Sequence, residues 1–145
     1  MANETFAIES TLSPADAYAR LVDLSRVTEW DHGIRDCALA SGTPGTVGAR
    51  YELTVTGFDG EPTTAIYELT EVTPGEGFTM VGTNPEFRAD DTVTVEPTAD
   101  GCRVTYDAGL VLTGEQPPVT DEQLDRLFAS IVEVPARGLQ VFLNP

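Results

Sequence analysis

The sequence predicts an α+β fold: one strand, two short helices, about six antiparallel strands and a long terminal helix. Three observations predict it. Apolar and polar residues alternate through the middle of the chain. Apolar residues recur at three- and four-residue spacing near both ends. Turns bearing Gly, Pro or Asp separate the alternating segments. The chain has 145 residues and shows no internal repeat or low-complexity tract, so one domain over residues 1–145 is expected.

Residues 4–11 read as a strand with Phe6 and Ile8 on one face. Ser13 suits a helix N-cap, Pro14 the first helical position and Asp16 the positive helix end. Tyr18, Leu21 and Val22 form that helix's apolar stripe. A short second helix is expected after Ser25, carrying Val27 and Trp30. Strands begin at about residue 34. From Arg50 to Phe58, Tyr51, Leu53 and Val55 share one face, with Glu52, Thr54 and Thr56 on the other. Asp59-Gly60 marks a hairpin. Residues 63–72 form the next strand, with Tyr67 and Leu69 together; the apolar parity shifts at Val72, which marks a bulge or strand end. After the turn Pro74-Gly75-Glu76-Gly77, Phe78 and Met80 open a further strand. Phe87–Val95 and Cys102–Leu112 make the last pair, with Val104, Tyr106, Ala108, Leu110 and Leu112 on one face. Thr120 to Gln123 reads as a capping box for the long helix. Leu124, Leu127, Phe128, Ile131, Pro135, Leu139 and Phe142 follow at helical spacing. Pro135 removes the hydrogen bond to the Ile131 carbonyl, so a kink or break is expected there. This helix is the only large element available to cover the sheet. One helix cannot fill the concavity of six or seven strands, so space for a small molecule is expected between them.

Composition excludes several classes. The chain carries 24 acidic and 8 basic residues, a net charge of −16, and all the basic residues are arginines. No basic footprint exists to neutralise nucleic acid or anionic lipid headgroups. The acidity fits a soluble cytosolic or a salt-adapted protein. With one histidine and two cysteines, neither a zinc nor a haem site is expected, and no cofactor is called for. Gly45 and Gly48 lack the spacing and lysine of a phosphate loop and read as turn glycines. No apolar run is long enough to span a membrane, and the first residues do not form a signal peptide, so a reduced cytoplasmic setting is expected.

The order and spacing of these segments resemble the START-like superfamily, also called SRPBCC or birch-pollen-allergen-like, in its bacterial polyketide cyclase/dehydrase branch. The resemblance rests on the opening strand and Ser13-Pro14-Ala15-Asp16-Ala17-Tyr18, then Leu21-Val22-Asp23-Leu24 and Trp30. It continues through Gly45-x-x-Gly48, the run from Tyr67 to Pro74, the run from Gly101 to Tyr106, and the terminal helix. It implies a helix-grip fold, a curved seven-stranded antiparallel sheet around the C-terminal helix and a hydrophobic cavity. It also implies apolar ligands such as lipids, hormones or polyketides. In that fold Cys37 and Cys102 fall on the second and last strands with the first strand between them, too far apart for a disulfide, so two free thiols are expected.

The candidate ligand-binding residues are Trp30, Tyr51, Leu53, Tyr67, Phe78, Met80, Phe87, Asp91, Tyr106, Phe128 and Ile131. The alternative for each is plain core. As a set they include tyrosine hydroxyls and an indole N–H, which need polar partners when buried. Tyr51, Tyr67 and Tyr106 are expected to point their hydroxyls into one shared cavity. Asp91 has the parity of Phe87, Ala89, Val93 and Val95, so a regular strand aims it inward, where burial raises a carboxyl pKa. The alternative is that Asp90-Asp91 sits at a bulge and stays solvated. His32 lies in a loop near the cavity mouth, solvated or proton-carrying; no nucleophile motif accompanies it. Asp91, His32 and Tyr106 are the candidate catalytic residues. Arg88, opposite in parity to Phe87, belongs on the outer face. Three functions are open: a binding protein for a hydrophobic small molecule, a cyclase or dehydratase using the same cavity, and an interaction module with a filled core. Monomer and homodimer are both open.

Overall fold

A computed structural model describes residues 1–145. The elements run β1 (Ala2–Ser10), α1 (Pro14–Val22), a 3-10 helix (Leu24–Glu29), β2 (Ile34–Ser41), β3 (Arg50–Thr56), β4 (Pro62–Thr73), β5 (Gly77–Thr83), β6 (Phe87–Thr98), β7 (Gly101–Leu112) and α2 (Asp121–Phe142). The strands form one antiparallel seven-stranded sheet in the order β1-β7-β6-β5-β4-β3-β2. The sheet curves around α2 in the helix-grip arrangement. No helix is long and apolar enough to cross a membrane.

Local chemistry sets the boundaries. The Ser13 side chain accepts from the Asp16 N–H, and Pro14 fills the first turn of α1, where its missing N–H costs nothing. Asp23 caps the 3-10 helix through the Ser25 N–H, so that helix starts at Leu24, ahead of the expected Ser25. Thr120 and Gln123 form the reciprocal capping box of α2. The expected break at Pro135 does not occur: α2 runs on to Phe142. Buried Leu124 and Leu139 hold the helix on either side of the proline. β3 stops at Thr56 rather than Phe58, because Gly57 and Gly60 already belong to the turn that returns at Glu61. The parity shift near Val72 is a register irregularity between Leu69 and Glu71. β2 pairs only with β3 and is itself irregular between Ile34 and Asp36 and between Leu39 and Ser41.

Two expectations need correction. α2 is not alone over the sheet. α1 packs on β5, β6 and β7, the 3-10 helix packs on β2, and α2 packs chiefly on β1. Tyr18 of α1 meets Phe78 of β5 edge-on, with ring centroids 6.2 Å apart. Nor does β1 lie between β7 and β2. It forms the outer edge beyond β7, and β6, β5, β4 and β3 separate the two cysteine-bearing strands. Both thiols are free. Cys37 donates to the Leu24 carbonyl at 3.0 Å, and burial pushes its pKa up to about 12.

The C-terminal end of α2 is fixed closely. A Cβ on Gly138 would collide with the backbone of Trp30, so only glycine permits the helix to cross there. Ser10 Oγ donates to the Leu143 carbonyl, and Arg20 donates to the Phe142 carbonyl at 3.2 Å. The guanidinium groups of Arg20 and Arg26 lie 5.6 and 5.1 Å from the Phe142 ring centroid.

Candidate ligand cavity

A cavity of about 530 Å³ lies between the middle of α2 and the sheet. Its size is in the range of small-molecule sites. α2 contributes Leu127, Phe128, Ile131, Val132, Val134 and Pro135. The facing wall comes from Phe6 of β1, Ala108 and Leu110 of β7, and Phe87 and Ala89 of β6. Phe58, in the turn after β3, closes one side. Small residues explain the open floor: Ala89, Ala108 and Gly109 line it, and Ala108 stands opposite Asp91. Gly82 of β5 stands opposite Tyr67. The Tyr67 ring occupies the space that a side chain on Gly82 would need.

Behind this cavity is a recess of about 40 Å³ lined by Trp30, Leu53, Met80 and, from the 3-10 helix, Leu24 and Val27. Asp31, Ile34, Tyr67, Asp91 and Tyr106 line both spaces, so the polar side chains gather where the two meet. Asp91 lies on an unbroken stretch of β6, which aims it inward at 9% exposure. Tyr106 sits diagonally across on β7, and its hydroxyl donates to Asp91 Oδ2 at 2.8 Å. Burial raises the Asp91 pKa to about 7, against the opposing effect of hydrogen bonds from Tyr106 and the Gly109 backbone; the carboxyls of Asp31 and Asp90 push it the same way as burial. Asp31 accepts from the Gly33 N–H at 3.0 Å, and burial raises its pKa as well. Tyr67 is partly buried against the core, and its hydroxyl makes no hydrogen bond within the protein; burial, then Asp91 and Asp31, hold it in the neutral form. Phe6 stacks on Tyr106 at 5.2 Å between centroids, and Trp30 meets Tyr106 edge-on at 6.1 Å.

Trp30, Leu53, Tyr67, Met80, Phe87, Asp91, Tyr106, Phe128 and Ile131 all line one or both spaces. Two of the expected residues do not. Tyr51 turns away: its hydroxyl donates to Asp23 Oδ1 and accepts from the Gly45 N–H, each at 3.2 Å. The shared cluster is therefore Tyr67 and Tyr106 without Tyr51. Phe78 belongs to the core under α1. The solvated alternative for Asp91 fails because β6 has no bulge there. Asp90 alone faces out, paired with Arg88 at 2.9 Å. His32 is exposed and lines neither space, although its neighbours Asp31 and Gly33 do. The filled-core alternative does not fit the cavity. Sequence reasoning missed Asp31, which sits in an irregular turn without periodicity; its place directly after Trp30 is the one signal available. It also missed Phe6, Val132 and Val134 as wall residues, although Phe6 already shared the Ile8 face.

A sequence profile described as polyketide cyclase / dehydrase and lipid transport matches residues 1–140. The chain belongs to this family. No curated protein matches it in sequence. Among solved structures, it is similar to a START superfamily protein from Mycobacterium smegmatis, with TM-score 0.77 and 13% identity over 98% of this chain and 95% of that one. It is also similar to Ara h 8.0201, with TM-score 0.67 and 12% identity over 98% of both chains. A third is the di-domain ARO/CYC StfQ of the steffimycin biosynthetic pathway, with TM-score 0.71 and 15% identity over 98% of this chain and 50% of that one. At these identities the likeness is one of fold. Within the family, ligand and chemistry must be argued from this chain's own cavity.

Proposed function

We propose that the protein binds an apolar small molecule between the sheet and α2, with Tyr67, Tyr106, Asp91 and Asp31 orienting its polar end. The observation that carries this reading is the cavity of about 530 Å³, with a mostly apolar lining and its polar groups gathered at one end. Desolvation would supply most of the affinity, and the polar groups the orientation. Native mass spectrometry of freshly purified protein, followed by solvent extraction, tests it together with displacement of a neutral apolar dye. A stoichiometric apolar compound, or dye binding lost on Ile131→Asp substitution at the cavity wall, supports the reading. Apo protein that takes up no dye refutes it.

A second reading is favoured by the Asp91–Tyr106 pair. A carboxyl with a pKa of about 7, hydrogen-bonded to a phenol, is poised to move protons near neutrality. A cyclase or dehydratase would use it on a polyketide-like chain held in the cavity. Turnover of a β-ketothioester that Asp91→Asn abolishes while dye affinity is unchanged would select this reading; no turnover over the uncatalysed rate would reject it.

A further inference from the structure

We propose that the inner end of the cavity selects an apolar ligand bearing a protonated amine, held between the carboxylates of Asp31 and Asp91 and against the rings of Tyr67 and Tyr106. This deepens the binding reading and rests on it. The titratable side chains lining the two spaces are Asp31 from the turn after the 3-10 helix, Tyr67 from β4, Asp91 from β6 and Tyr106 from β7. α2 adds none, and neither His32 nor any arginine lines either space. The arginines with ion-pair partners meet Glu9, Glu29, Glu68, Asp90 and Glu133, all outside the cavity. Two inward carboxyls therefore have no basic partner.

Each keeps accepting capacity. Asp91 receives the Tyr106 hydroxyl, and Asp31 receives the Gly33 N–H. Tyr67 supplies an independent sign of a ligand: its partly buried side chain lines both spaces, and its hydroxyl has no protein partner. A buried carboxylate without a counter-charge is costly, and a ligand cation removes that cost. An ammonium group donates up to three hydrogen bonds, enough for both carboxylates and the Tyr67 oxygen. The phenol rings, with Phe6 stacked behind Tyr106, add faces that attract a cation. A neutral alcohol offers one donor and leaves the charge uncompensated. A carboxylate or phosphate ligand would add a further negative charge to a region that contains no positive one.

The test titrates the full-length protein calorimetrically at neutral pH with naphthylethylamine, naphthylethanol and naphthylacetate, which share one ring system. The amine is expected to bind about tenfold more tightly than the alcohol, and the acid more weakly than either. Asp31→Asn and Asp91→Asn should each cut amine affinity about tenfold and alcohol affinity by less, so that the amine's advantage over the alcohol narrows. Amine binding should also release a proton from Asp91, read as a heat that changes with the buffer's ionisation enthalpy. Should either variant fail to fold, the wild-type series decides alone: the amine's advantage should shrink as pH falls below 7, where Asp91 takes up its proton. Alcohol binding as tight as amine binding, or acid binding tighter than both, overturns the proposal while the binding reading stands. Failure of all three probes and of a neutral dye overturns the binding reading and this proposal with it.

Discussion

Two stretches of α2 carry the same kinds of side chain to opposite ends. From Gly138 to Leu143 the helix is locked: Leu139 and Leu143 are fully buried, and Gly138 lies on the Trp30 backbone. From Leu127 to Val134 it stands off the sheet. Leu127, Ile131 and Val134 remain 39–44% exposed at the cavity wall. An amphipathic stripe alone does not distinguish a packed helix from one that roofs a cavity. The distinction comes from what lies opposite, here small residues at Ala89, Ala108 and Gly109 under the open stretch.

The largest contrast should come from truncating one residue in each stretch. Leu139→Ala is expected to cost about 4 kcal/mol in urea unfolding, since it opens a hole in a filled core. Ile131→Ala should cost under about 1 kcal/mol and instead weaken dye binding. Equal losses would erase the distinction between the two stretches.

A contrast of nearly the same size is electrostatic. Asp91 holds its proton more tightly when folded, at about 7 against an ordinary 3.8, so acid favours the folded state through this group. Its contribution is complete below pH 3.8 and is lost as pH rises through 7. Asp91→Asn removes that loss. The variant should gain stability relative to wild type as pH rises from 4 to 8, reaching at most about 4 kcal/mol. A pH-independent difference between the two denaturation series would show that Asp91 is solvated.

Alanine at two glycines gives a third comparison. Gly138→Ala meets backbone that has nowhere to go and should cost about 3 kcal/mol. Gly82→Ala meets the Tyr67 ring first, a side chain that can swing into the cavity, and should cost about 1 kcal/mol while reducing dye uptake. At the small end, Arg50→Ala breaks an exposed pair with Glu68 on the outer face. It should change stability by under about 0.5 kcal/mol and leave ligand affinity unaltered.

Much of the framework was legible because it is written in local chemistry. Ser13, Pro14 and Thr120 announce helix starts, and strict alternation from Phe87 to Val95 aims Asp91 inward. The resemblance supplied the sheet's arrangement around α2, but alternation left the position of β1 open, and β1 lies beyond β7. The cavity was legible in outline from the shortage of helix over a wide sheet, although α1 and the 3-10 helix cover part of that sheet. Its polar cluster was only half legible. Tyr51 shares strand parity with the cavity residues, but the Asp23 carboxyl and the Gly45 N–H draw its hydroxyl elsewhere. Asp31 reaches the cluster from an irregular turn, where no periodic signal exists. Nothing in the sequence spacing marks the joining of Asp31 and Asp91, which depends on how β6 and the end of the 3-10 helix meet.

The irregular β2 has a consequence for behaviour at high concentration. Its side away from β3 offers unpaired backbone donors and acceptors, as any terminal strand does. The two register shifts break that row, and Arg35 and Asp36 place opposite charges within it. A second chain would find few consecutive groups to zip onto, and the net charge of −16 would repel it on approach. The strand is thereby a poor seed for fibrous aggregation, even in a protein that keeps an apolar hollow open to solvent.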